Sequence, residues 1–237
     1  SYKDTKLSPL LEKNEALIHG GLTVENALIP KRGKSQLSFN YGSSGSIFSS
    51  YKYSLSNIFQ LQLISGSHKG INLASNQNFD LRNTYLNRYN FNYRVGGKIL
   101  FLSPQKNDRL FLSSRVTMGR DLHSRQGYSF LDLTSTFNIN QRIVLNISPK
   151  YLFSGIDNLS ALGISNYLNL SKKLLFIAET NIGLDENTEN NLTFSLRHLQ
   201  NKNRTIDFYV TNALGIEDIG QLLRSDNYKF GLKLSLI

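Results

Sequence analysis

Tyr228-Lys229-Phe230-Gly231-Leu232-Lys233-Leu234-Ser235-Leu236-Ile237 alternates residue by residue: every even position is large and apolar, and every odd one through Ser235 is Lys, Gly or Ser. Successive side chains of an extended chain point to opposite faces, so this order makes a strand with one wet face and one dry face.

Working back from this stretch, the chain from about Gln36 onward divides into about twelve alternating segments. They are read at 36–42, 46–55, 58–66, 90–103, 109–119, 127–138, 142–153, 158–170, 173–184, 190–199, 204–212 and 228–237. Lengths of roughly 8–14 residues suit tilted membrane strands and exceed most soluble ones. Alternation is cleanest where Leu192, Phe194 and Leu196 interleave with Asn191, Thr193, Ser195 and Arg197, and where Ile206, Phe208 and Val210 interleave with Thr205, Asp207, Tyr209 and Thr211. The connections form a second pattern. Ser56-Asn57, Ser103–Asp108, Ile139–Gln141, Ser171-Lys172 and Gln200–Asn203 are short, whereas Ser67–Tyr89, Arg120–Gln126, Asp185–Glu189 and Ala213–Asn227 are longer. Ser154–Asp157 is shorter, and Ser43–Gly45, a tight hairpin, breaks the rule.

An even number of alternating strands, short turns at one end and long loops at the other resembles the bacterial outer-membrane β-barrels. The Asn- and Ser-rich, short-looped character is similar to small porin-like barrels from cyanobacteria. The resemblance covers about Gln36–Ile237 and rests on pattern, not on a motif. It implies an all-β, antiparallel, up-and-down transmembrane barrel of about twelve strands in the outer membrane of a Gram-negative type envelope. It also implies contact with membrane lipid and lipopolysaccharide, recognition of the closing strand by the barrel assembly machinery, and small solutes or other envelope proteins as partners. Two details depart from the class. Trp is absent, and Leu236 holds the in-register apolar position that most often ends such chains, with Ile237 one beyond it.

Composition is consistent with this reading. The 237 residues suit one domain; charged residues are 19%, cysteine is absent, and the net charge is +10. A mean hydropathy of −0.29 does not argue against a barrel, whose lumen face is polar. Apolar runs such as Leu174–Ala178 are far shorter than the roughly 20 residues of a spanning helix. The start at Ser1-Tyr2, without Met or an apolar signal core, is the expectation for a processed or trimmed chain. The rival is a soluble β-barrel or sandwich with its apolar faces inward. Against it stand the strand number, which leaves an interior too wide for one wall's side chains to fill. The sparse charge on the polar faces and the aromatics near strand ends, including Tyr41, Tyr89, Phe101, Tyr151 and Tyr228, also weigh against it.

Residues 1–35 are read as an N-terminal segment and 36–237 as the barrel. Ser8 can cap a short helix over Ser8–Ile18 with Pro9 as its first residue. Three placements stay open for Gly20–Ser35: in the lumen, at the periplasmic mouth, or loose in the periplasm. Within the last outer loop, Ile216, Ile219, Leu222 and Leu223 recur at helical spacing, which predicts a short amphipathic helix folded over the rim or into the pore as a lid or plug, with an ordered loop that packs on itself as the alternative.

The faces assigned to the lumen carry Lys52, Arg94, Lys98, Arg109, Arg115, Arg142, Lys150, Arg197, Lys229 and Lys233. Asp132 and Asp207 are the anions there, with Glu179 on a strand of less clear facing. Two readings follow: a positive lumen that draws anions through a passive channel, or cations that brace a plugged barrel acting as a structural or interaction subunit. Nucleic acid is disfavoured, because bases need aromatics and cations on one face, and here Phe91 and Tyr93 alternate with Arg94. An enzyme is a distant third, since only His123, near Asp121 and Ser124, has suitable neighbours; the chain is read as non-catalytic. His19, His68, His123 and His198 are isolated, so neither a metal nor another cofactor is expected.

Overall fold

The computed structural model describes residues 15–43, 46–67, 92–102, 109–120, 127–140, 142–154, 158–186 and 188–237. Twelve strands run in chain order: β1 (Ser35–Gly42), β2 (Ile47–Ser54), β3 (Phe59–Ser67), β4 (Asn92–Leu102), β5 (Leu110–Arg120) and β6 (Gly127–Asn138), then β7 (Ile143–Phe153), β8 (Asn158–Ser171), β9 (Leu174–Gly183), β10 (Asn191–Asn201), β11 (Arg204–Ala213) and β12 (Arg224–Leu236). Each pairs antiparallel with its neighbour in sequence, and β1 pairs with β12 from Leu37↔Leu236 to Gly42↔Gly231, which closes the barrel.

The apolar side is outside. In β12, Tyr228, Phe230, Leu234 and Leu236 are exposed, while Lys229, Lys233 and Ser235 are buried. The same inversion holds around the wall: Phe39, Leu63, Val95, Met118, Leu131, Leu192 and Phe208 face out, and Gln62, Thr117, Thr134, Asn146, Ser165 and Thr193 face in. Water-soluble monomers do not carry a continuous apolar belt of this kind. The architecture is therefore a transmembrane barrel, and the soluble alternative falls.

Observed strand limits lie close to those read from sequence, with one larger difference. The last strand begins at Arg224, not Tyr228, because Ala213 and Arg224 still pair beyond a bulge. The loop before it contains a single 3-10 turn, Asp218–Gln221, in place of an amphipathic helix. At the other end of the chain, Glu15–His19 is a 3-10 turn, and Ser8–Asn14 of the expected helix lies outside the described residues.

Three inward glycines sit directly across from inward aromatics: Gly66 from Phe48, Gly119 from Tyr128 and Gly231 from Tyr209. Each ring lies over its glycine, so an added Cβ would come within 2.0, 2.6 and 2.1 Å of ring atoms. Such pairs let a large ring fold against the wall and not project across the interior. Replacing Gly231 by Val is expected to cost about 1–3 kcal/mol of barrel stability. The check is the temperature at which the detergent-folded barrel converts to the unfolded form on a semi-native gel; an unchanged temperature would contradict it.

Candidate functional site in the barrel interior

The interior is occupied. Apart from the half-buried Ile18, every residue from Leu17 to Pro30 is buried, although none belongs to a strand. This segment enters from the end that carries the short turns and doubles back. Leu17 packs in the same cluster as Ala27, Leu28 and Ile29, against Leu100, Phe111, Val144, Tyr167, Leu175 and Ile177 of the wall. A second cap folds in from the loop end: Leu214, Leu222 and Leu223 pack on Tyr128, Phe130, Leu152 and Leu159. The two meet where Leu22 of the plug, Ile216 of the loop and Tyr209 of the wall form one small cluster.

Between the apolar ends lies a polar layer that binds the plug through its backbone. Glu179 accepts from the Leu22 amide at 2.9 Å, the Thr23 amide at 2.6 Å and the Thr23 hydroxyl at 2.9 Å. The Lys98 ammonium donates to the carbonyls of Asn26 at 2.5 Å and Leu28 at 3.0 Å, and Lys233 donates to Gly21 at 3.1 Å. Lys150 donates to the Thr23 carbonyl, to Asn181 Oδ1 at 2.6 Å and to Gln221 Oε1 at 2.7 Å, so it ties plug, wall and loop together. The Thr136 hydroxyl accepts from the Ala27 amide. A non-strand backbone inside a barrel persists only when its polar groups find such partners. Gly21 is needed at the tightest point, where a Cβ would come within 2.0 Å of the Val24 carbonyl and 2.1 Å of Glu179.

One side-chain charge of the plug enters this layer. The Glu25 carboxylate lies 2.7 Å from Lys52 Nζ and 3.8 Å from Arg115 Nη1. Burial alone would raise its pKa, but Lys52, Lys98, Arg115 and Lys233 outweigh burial and hold it well below the usual carboxylate range. His19 is the opposite case. It is buried, neither ring nitrogen has a hydrogen-bond partner among the described residues, and burial together with Arg197, Lys233 and Lys52 pushes its pKa down to about 2, so it sits neutral.

Two of the remaining wall cations are paired with carboxylates on neighbouring strands. Arg115 Nε donates to Asp132 Oδ2 opposite it at 2.7 Å, Nη2 lies in ion-pair contact with the same oxygen at 2.5 Å, and the guanidinium lies over Phe130. Arg197 forms a two-point pair with Asp207 at 2.5 and 3.2 Å. Arg94 lies over the rings of Phe48 and Tyr128, and Lys229 donates to the Leu214 carbonyl of the loop cap. Arg94, Lys98, Arg115, Lys150, Arg197, Lys229 and Lys233 are thus buried side by side on the inner wall, with Lys52 among them. Arg142 is not. It is exposed in the turn before β7, and Arg109 is likewise exposed just before β5. Both have the inward parity of their strands but stand beyond the rim. Ile216, Leu222 and Leu223 are buried in the loop cap, while the side chain of Ile219 lies outside the described residues. So do His68 and His123 with its neighbours. Glu25 escaped the sequence reading, since only the fold shows that its segment lies among wall cations.

A closed twelve-stranded barrel with an apolar outer belt and a polar inner wall defines the chain as an outer-membrane β-barrel in fold. No family model matches it, and no curated protein matches it in sequence. Solved structures do resemble it. The KdgM porin in complex with disordered oligogalacturonate superposes with a TM-score of 0.63 at 9% identity, covering 86% of this chain and 99% of that one. For the NanC porin the TM-score is 0.58 at 9% identity, with 86% and 100% covered. An outer-membrane channel from Pseudomonas putida F1 gives 0.56 at 10% identity, with 89% and 97% covered. At such identities the likeness concerns the fold.

Because His19 is neutral when seated and has an ordinary pKa of 6.5 when released, acid favours release. Seating is expected to weaken by about tenfold for each pH unit below 6.5. Glu25, whose pKa is depressed, adds to this loss only below its ordinary value of 4.5. Amide exchange of residues 20–27, corrected for intrinsic rates, should rise between pH 7 and 5, and His19→Gln should remove that slope. A slope equal in both proteins would refute the assignment.

Proposed function

We propose that the chain is an outer-membrane channel, closed at rest, that passes small anionic or polar solutes when its two occluding segments withdraw. One observation carries this reading: Lys52, Lys98, Lys150 and Lys233 point from the wall into the interior, and each has a plug oxygen among its acceptors. Were residues 17–30 to leave, these four ammonium groups would face the lumen beside the buried Arg94 and Lys229. Among the described residues the buried cations number eight, against the carboxylates of Glu25, Asp132, Glu179, Asp207 and Glu217. Removing Glu25 with the plug widens the excess. Inside a low-dielectric wall this excess favours anions. The porins of like fold support the channel reading by analogy of architecture only. On this reading the chain resides in the outer membrane of a Gram-negative type envelope, meets lipid and lipopolysaccharide through its belt, and reaches the membrane by the barrel assembly machinery.

A second reading, a permanently filled barrel serving as a structural or interaction subunit of an envelope assembly, is favoured by the hydrogen bonds that hold the plug backbone to the wall. Planar-bilayer recording separates the two. The intact chain should be largely silent. Deleting residues 17–30 and replacing the loop cap, residues 214–223, by a short Gly-Ser turn should give open events with a reversal potential on the chloride side in a potassium chloride gradient. No events from this variant, folded by gel migration, would establish the filled barrel in place of the channel, and a potassium preference would remove the anionic part of the proposal.

A further inference from the structure

Glu25 is held as a ligand would be held. Its carboxylate is buried at mid-wall, hydrogen-bonded by Lys52 at 2.7 Å and within 3.8 Å of Arg115. Around it, the same segment supplies the carbonyl oxygens of Gly21, Thr23, Asn26 and Leu28 to Lys233, Lys150 and Lys98. All of these groups come from residues 21–28, which contribute no strand to the barrel. Toward Glu25 and these carbonyls the wall presents cationic donors, while Glu179 and Thr136 accept the plug's amides, and residues 21–28 bring a single full negative charge.

We infer that Glu25 is a tethered occupant of an anion-binding site on the barrel wall, and that compact polycarboxylate solutes compete with it and so unseat the plug. The inference rests on the channel reading only in requiring that solutes reach the interior when the plug is out. The physical reason is linkage. A solute that binds the plug-free wall and not the plug-filled one shifts the equilibrium toward the open form in proportion to its concentration over its dissociation constant. A carboxylate can take the place of Glu25 against Lys52 and Arg115, and further carboxylates on the same small molecule can take the places of the neighbouring carbonyls. Charge-assisted contacts are stronger than the neutral carbonyl contacts they replace. Chloride, a single spherical charge, cannot span donors spread along the wall as a molecule with several carboxylates can.

The test uses amide exchange of the intact chain in detergent, read at Leu22, Thr23 and Ala27, whose amides are bonded to Glu179 and Thr136. Citrate is the probe, with sodium chloride at matched ionic strength as its control. Citrate should speed exchange at these three amides, and Lys52→Met should weaken that response. Glu25→Gln, without citrate, should raise their exchange by about tenfold, the least expected for a buried hydrogen bond to a charged group. Equal acceleration by citrate and chloride would overturn the inference, as would a Glu25→Gln barrel, folded by gel migration, whose plug exchanges like the parent. Exchange requires no conduction. Plug release by citrate in a chain that never conducts would sink the channel reading alone, whereas anion conduction by the deletion variant with citrate-insensitive exchange would sink this inference alone.

Discussion

A polypeptide crossing hydrocarbon must pair every backbone amide and carbonyl within itself, and the β1–β12 ladder is what meets that condition here. Without it, two strand edges would face lipid unpaired. Closure then dictates the rest. Once the sheet is a cylinder, one face of every strand looks at lipid and the other at an enclosed space, so the outward positions become Leu, Phe, Tyr and Val. The inward ones are free to be polar only if their own hydrogen-bonding needs are met inside.

That second requirement explains the plug. Cross-strand pairs satisfy Arg115 with Asp132 and Arg197 with Asp207, but the wall lysines outnumber the carboxylates left to meet them. Residues 17–30 bring backbone oxygens to Lys98, Lys150 and Lys233 and the Glu25 carboxylate to Lys52, and Glu179 in turn meets the amides of Leu22 and Thr23. The wall and the plug are complementary in hydrogen bonds first and in net charge second. Apolar clusters at both ends, around Leu17 and Leu28 on one side and Leu222 on the other, enclose this polar layer.

What the residues revealed in advance followed from period. A repeat of two is a local property, so strand limits and the facing of Lys98, Lys150 and Lys233 could be read along the chain. Depth is not local. Arg109 and Arg142 have the parity of interior residues, yet they stand in turns at the rim, and nothing in a two-residue repeat marks where a strand leaves the wall. The helical spacing of Ile216, Ile219, Leu222 and Leu223 pointed to a helix, but the segment is a short turn whose described apolar residues are buried in the cap. Glu25 had no local signal at all, since its meaning depends on Lys52 and Arg115, which reach it only through the closed barrel. Inward apolar residues such as Phe111 and Leu152 were equally silent, because they serve partners in distant segments.

Sequence distance between the plug and its holders has a consequence for biogenesis. Glu179 lies 157 and 156 positions from the amides it binds, and Lys233 lies 212 positions from the Gly21 carbonyl. Residues 21–23, which precede every strand, therefore cannot reach their final seat until the ninth and twelfth strands are in place. Long-range contacts of this kind form late. The seal is complete only when the wall that holds it is complete.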